Sequence, residues 1–191
     1  MPFEVLPEFD PLKTVIKVIG VGGGGGNAVE HMITHGAKSI EFIAANTDHQ
    51  ALQRSKAQSH PARQHRTGCG SASGNRCGCR TGKREQVAEA IRGAICSFIT
   101  AGMGGGTGTG AAPVIAEIAK ELGILTVAVV TKPFSFEGAR RMRTAEQGIE
   151  NLKSKVDSMI VILNEKLEEE CPPNATMKEC LKPPTKVLYK A

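Results

Sequence analysis

No stretch of this chain approaches the roughly 18 consecutive apolar residues that a membrane span requires, although hydrophobic residues make up 40% of its 191 positions. Met1 to Pro11 is acidic and proline-bearing and lacks the basic-then-apolar layout of a secretory signal, so a cytoplasmic protein is expected. The six cysteines would suit a disulfide scaffold in a short secreted chain. Beside long α/β patterning and without an export signal, they read as reduced thiols. From Ser59 to Gln86 there is no Val, Ile, Leu, Met, Phe, Tyr or Trp. Such a segment cannot bury enough apolar area to offset its ordering entropy, and an irregular, mobile excursion is expected there. Charge is uneven in the same place. Residues 53–86 carry +7 of a net +5, leaving −2 on the rest, so the basicity belongs to one segment and gives no reason to invoke nucleic acid.

What is present reads as alternating strands and helices, in a length that suits one α/β domain with a proper core. Val15 to Ile19 and Ile40 to Ala45 are apolar, β-branched runs typical of buried parallel strands. Between them Val29, Met32 and Ile33 mark a helix, with Asn27 and Glu30 as a capping pair and Gly36 as its stop. Val87, Ile91, Ala94 and Ile95 predict a helix, Ser97 to Ala101 a strand, and Val114, Ile115, Ile118 and Leu122 a helix with Pro113 in its first turn. Leu125 to Val130 is a strand, Met142, Ala145, Ile149, Leu152 and Val156 form a helical stripe, and Met159 to Leu163 is the last strand. The predicted fold is α/β, a doubly wound, mainly parallel sheet whose ligands lie beyond the strand carboxyl ends. Prolines at 172, 173, 183 and 184 exclude a continuous helix through the C-terminal region.

Two glycine loops carry the chemistry. Gly20 to Gly26 holds six glycines in seven residues, followed by Asn27, between a strand and a helix. Glycine lets a backbone approach phosphate closely, and a helix N-terminus offers free N–H groups and a positive dipole end. Glu41, about 20 residues on, keeps a dinucleotide (NAD or FAD) Rossmann site open as a competitor. Gly104-Gly-Gly-Thr-Gly-Thr-Gly110 is the second loop, again after a strand and before a helix. It lacks the Gly-Lys-Ser/Thr ending of a Walker A loop and offers amides and two hydroxyls without a lysine. Two such loops at neighbouring strand ends can hold one polyphosphate from both sides, whereas a dinucleotide site needs only the first.

The chain here resembles the tubulin superfamily and, within it, the bacterial FtsZ family. The likeness rests on Ile16 to Val29, Asn46-Thr-Asp48, Ile99 to Pro113 and Thr131-Lys-Pro-Phe134, and covers roughly residues 12–52 and 87–167. It implies a Rossmann-like GTP-binding domain over 12–167, after a flexible tail at 1–11 and with an aberrant segment at about 53–86. A proline-broken remnant of the family's central helix would follow at 168–191, with the family's C-terminal domain absent. It implies that Gly23, Gly24, Gly25, Gly26 and Asn27, with Gly104, Gly105, Gly106, Thr107, Gly108 and Thr109, bind the phosphates of GTP or GDP. Glu137 would contact the ribose, Arg141 would steady the nucleotide, and Asn164 would face guanine. Mg²⁺ would enter through the nucleotide, with no metal ligand in the chain. The implied activity is that of a GTPase that polymerises into the cytoplasmic division ring at midcell, through self-association or with full-length FtsZ-like subunits. Other division proteins are further possible partners.

Three departures shape that expectation. Residues 59–86 replace an aliphatic strand and a phosphate loop of the family, as a locally shifted reading frame would. A zinc site from Cys69, Cys77, Cys79 and His60 or His65 is the alternative, although its spacing is not a standard pair of knuckles. Thr185 and Lys186 stand where the family has a guanine-sensing residue, and lysine cannot accept the guanine N–H bonds. The family's acidic catalytic loop lies beyond Ala191, so no catalytic residue is assigned, and weak GTP binding with poor hydrolysis is expected. Besides the NAD or FAD domain of an oxidoreductase, the competing readings are a non-catalytic filament-capping fragment and a chain that does not fold.

Overall fold

The β-branched run at the start of the domain forms β1 (Ile16–Val21), and the sheet is built outward from it. The computed structural model describes residues 15–36, 40–55, 66–68 and 81–169. The expectations for the N-terminal tail, the cysteine-rich stretch and the proline-broken C-terminal remnant lie outside those residues. β2 (Ile40–Asn46), β3 (Arg66–Gly68), β4 (Cys96–Gly102), β5 (Leu125–Lys132) and β6 (Ser158–Leu163) complete a six-stranded sheet in the order β3-β2-β1-β4-β5-β6. Every described pairing is parallel. Parallel strands need crossovers, and α1 (Gly22–Thr34), α3 (Thr81–Ile91), α4 (Thr107–Glu121) and α5 (Ala139–Lys153) supply helices for them. Two short helices, α2 (His49–Arg54) and α6 (Asn164–Glu169), follow β2 and β6.

Strand alternation sends side chains to two faces. Ile19, Val21, Ile99, Ala101, Ala128 and Val130 pack with α3, α4 and α5 in the main core. Val18 and Phe42 point the other way, onto Val29 of α1. The order reverses between β1 and β4, the position where open α/β sheets open a crevice beyond their strand ends.

Four local expectations are corrected. α1 begins at Gly22, with Val21 as its N-cap, and not at an Asn27 cap. Gly25 lies so close to β4 that a Cβ there would overlap the Thr100 carbonyl, and one on Gly24 would stand 3.3 Å from Gly102. At these two positions glycine, a poor helix former, allows this approach. Pro113 sits inside α4 and not in its first turn, so it removes one helical hydrogen bond. Within the aliphatic-free segment, Arg66–Gly68 pairs with β2 and α3 already starts at Thr81. Ala94, Ile95, Leu122 and Val156 fall beyond the helices they were expected to mark, and Ile95 is exposed.

Lys17 ties the N-terminal end of the sheet together. Its buried Nζ donates to the carbonyls of Ala90 at 2.8 Å and Arg92 at 2.9 Å, at the end of α3, and pairs with Glu41 at 3.2 Å.

Candidate functional site

The first glycine loop leaves β1 at Val21 and turns directly into α1. No side chain caps that helix, and no acidic residue stands in its first turn. α4 opens the same way after the second loop, with Gly106 as N-cap, no side-chain cap and no acidic first-turn residue. The first N–H groups of a helix have no partner within it. Two uncapped N-termini therefore present amides and positive dipole ends to one space. They nearly touch: a Cβ on Gly22, whose φ is +71°, would stand 3.1 Å from the Gly108 nitrogen.

That space is an open cavity of about 350 Å³. Gly22, Gly23 and Gly24 line it from one side, and Gly105, Gly106, Thr107 and Gly108 from another. Val21, Gly102, Met103, Thr131 and Pro133 form further walls, and Glu137, Arg141 and Asn164 complete the lining. Its size is in the range of small-molecule sites. Fifteen residues line it, and Arg141 is the sole cationic side chain among them.

The sequence-predicted residues divide between wall and scaffold. Gly23, Gly24, Gly105, Gly106, Thr107, Gly108, Glu137, Arg141 and Asn164 line the cavity. Gly25 is buried against β4, while Gly26 and Asn27 face a smaller adjoining cavity of about 70 Å³ between α1 and β2. Gly104, with φ +92°, forms the bend of the second loop, where a Cβ would stand 3.0 Å from the Arg141 carbonyl oxygen. Thr109 turns its hydroxyl back to accept from the Gly104 N–H at 3.0 Å, so it braces the loop. Val21, Gly22, Gly102, Met103, Thr131 and Pro133 were not among the individual contact residues expected from the sequence, although each lies within a stretch that carries the family resemblance.

Glu137 ends a single 3₁₀ turn (Ser135–Glu137) after β5, and Arg141 follows one helical turn later on α5. One Glu137 carboxylate oxygen accepts the Phe134 N–H at 3.0 Å, and the other pairs with the Arg141 guanidinium. The pair fixes both side chains at the cavity wall. Asn164, first residue of α6, has a buried Oδ1 that accepts no hydrogen bond from the described residues. An unpaired buried acceptor costs about 1–3 kcal/mol, which a ligand N–H would offset.

Glu41 answers the dinucleotide alternative. It sits at the opposite end of β2 from the cavity and is held by Lys17, where it cannot reach a ribose at the switch point. Among the described residues no group of three or more His, Cys, Asp or Glu side chains could hold a metal, and no helix is long and apolar enough to cross a membrane. Cys69, Cys77, Cys79, His60 and His65 lie outside those residues.

A parallel sheet with two lysine-free glycine loops meeting at its switch point defines a nucleotide-binding α/β domain of the tubulin type, distinct from Walker-type P-loop proteins. The family profile described as Tubulin/FtsZ family, GTPase domain, matches residues 15–172, and the chain belongs to that family. It is 50% identical over 190 residues to the cell division protein FtsZ of Coxiella burnetii, covering 97% of this chain and 49% of the relative. It is 55% identical over 157 residues to FtsZ of Pseudomonas aeruginosa, covering 80% of this chain and 40% of that one. The chain thus spans about half the length of the curated relatives it matches. The FtsZ dimer of M. jannaschii superimposes with a TM-score of 0.80 at 41% identity, over 94% of this chain and 53% of that one. CetZ2 from Haloferax volcanii shares the fold, with a TM-score of 0.73 at 22% identity. Family and site together set aside the oxidoreductase reading.

Proposed function

We propose that this chain is the GTP-binding half of an FtsZ-like cytoskeletal GTPase, one that holds GTP or GDP in the cavity between the two glycine loops. The observation that carries this reading is the convergence of two uncapped helix N-termini on one lysine-free cavity. The amides at Gly22 to Gly24 and Gly105 to Gly108 would receive the phosphates, with Arg141 adding the one cationic side chain among the described residues that line the cavity. Glu137 stands on the wall where a ribose hydroxyl would meet a carboxylate. The Asn164 Oδ1, without a partner among the described residues, is a hydrogen-bond acceptor of the kind that guanine N–H groups need. Mg²⁺ would be held by the phosphates and would neutralise charge on them.

In this reading the nucleotide face is also the face used for self-association or for docking onto full-length FtsZ-like subunits, in the cytoplasm at the division site. Hydrolysis by the isolated chain would be slow, because no described side chain at the cavity stands free as a base. Equilibrium titration with GTP, ATP and NAD is the test. GTP should bind at least tenfold more tightly than the other two, and equal affinities would overturn the proposal.

A further inference from the structure

We propose that Thr47 is a positioning residue for nucleotide binding: its hydroxyl orients that of Thr107, so that the Thr107 proton faces the phosphate-binding space. The inference rests on the functional reading above and extends it to a residue outside the cavity lining. Thr47 follows β2, and Thr107 opens α4 on the cavity wall. Their Oγ1 atoms lie 2.7 Å apart, joining positions 60 residues apart in the chain. That separation is the usual length of an O–H···O hydrogen bond.

Each hydroxyl has one proton to give. With Thr107 donating to Thr47, only lone pairs would remain toward the cavity, and these repel an anion. With Thr47 donating to Thr107, the Thr107 proton is released toward the cavity and its oxygen is polarised by the bond it accepts, which strengthens the bond it makes. An anion in the cavity therefore selects the second arrangement, and Thr47 becomes the outer member of a two-hydroxyl chain. The turn that carries Thr47 is itself braced. The Asp48 N–H donates to Asn46 Oδ1 at 3.3 Å, and Asp48 Oδ1 accepts from the Gln50 N–H at 2.8 Å to cap α2. A third loop thus takes part in phosphate binding without touching the ligand.

The test compares T47V, T47S, T107V and the double variant, titrated with GTP, GDP and guanosine. Valine keeps the shape of threonine and replaces the hydroxyl with a methyl group, and T47A, which adds no group opposite Thr107, stands in if T47V melts at a lower temperature than the wild-type chain. T47V should weaken GTP and GDP about three- to tenfold, the range of an ordinary hydrogen bond between neutral groups, and leave guanosine unchanged. T47S should restore binding, and T47V should add nothing to T107V. Wild-type affinity in T47V, an equal loss for guanosine, or additive losses in the double variant would each overturn the inference. Absence of nucleotide binding by the wild-type chain would overturn the functional reading and this inference together, whereas GTP binding unchanged by T47V overturns this inference alone.

Discussion

Adjacent glycines of α1 do different work, and single methyl groups separate their roles. A Cβ on Gly25 would collide with backbone of β4, and one on Gly26 or Gly23 would meet nothing within 4 Å. G25A should therefore lower stability by about 3 kcal/mol, as overpacking does at the upper end of its range. G26A should raise it by about 0.5–1 kcal/mol, since alanine is the better helix former. Denaturant melts check both. G23A should not lower the melt, since its methyl group meets no described atom within 4 Å, and should lose GTP affinity, because that group enters the space assigned to phosphate. The glycine run announced a phosphate loop in the sequence, but nothing in it showed which glycines face the ligand and which face the sheet. That division depends on β4, which lies some 75 residues away in the chain. The partial commitment of Glu137 to the Phe134 N–H was equally invisible, because it depends on the bend after β5.

Among the elements, the long strands were legible from their apolar runs and the helix starts were not. α3 forms over residues without an aliphatic stripe in its first turns. Val87, Ala90 and Ile91 pack its end into the core, and Lys17 donates to the carbonyls at that end. K17M should cost about 2 kcal/mol, because it leaves buried carbonyls and the Glu41 carboxylate without their donor. Adding E41Q should recover part of the loss, and melts of the three variants measure the coupling. Farther along, Glu117 of α4 pairs with Lys155, which follows α5, and with Arg84 of α3. The hydrogen bond from Lys155, then its charge, and then Arg84 hold the Glu117 carboxyl below its ordinary pKa. A lowered folded-state pKa contributes stability above the unfolded value, and that stability is lost as pH falls through the folded one. E117Q should thus destabilise at pH 7 by no more than about 1 kcal/mol, since these groups are largely solvated. The difference from wild type should vanish as the pH is lowered through the carboxylate range, and added salt should shrink it.

For the molecule as a whole, the sheet order is shared with dinucleotide-binding folds, so topology alone did not decide the ligand. The discriminating facts are the second loop, legible in the sequence, and the pairing that holds Glu41 to Lys17 at the far end of β2, which was not. Ligand binding to the folded state alone stabilises it by mass action. At GTP about one hundred times its dissociation constant, the gain of about 2.7 kcal/mol should raise the melting temperature by roughly 5–11 °C for a chain of this size. NAD at the same concentration should give no comparable rise, and G23A should show none with GTP.

A grip made of main-chain amides has no side chain to acylate, delete or titrate. Reagents that modify every accessible lysine would leave the floor of this cavity chemically intact. Over the physiological pH range, any change in its hold on a phosphate would come from the protons of the phosphate itself. The share of that hold that the amides supply is lost only through bulk placed where glycine now stands, at a few small residues on two strand tips.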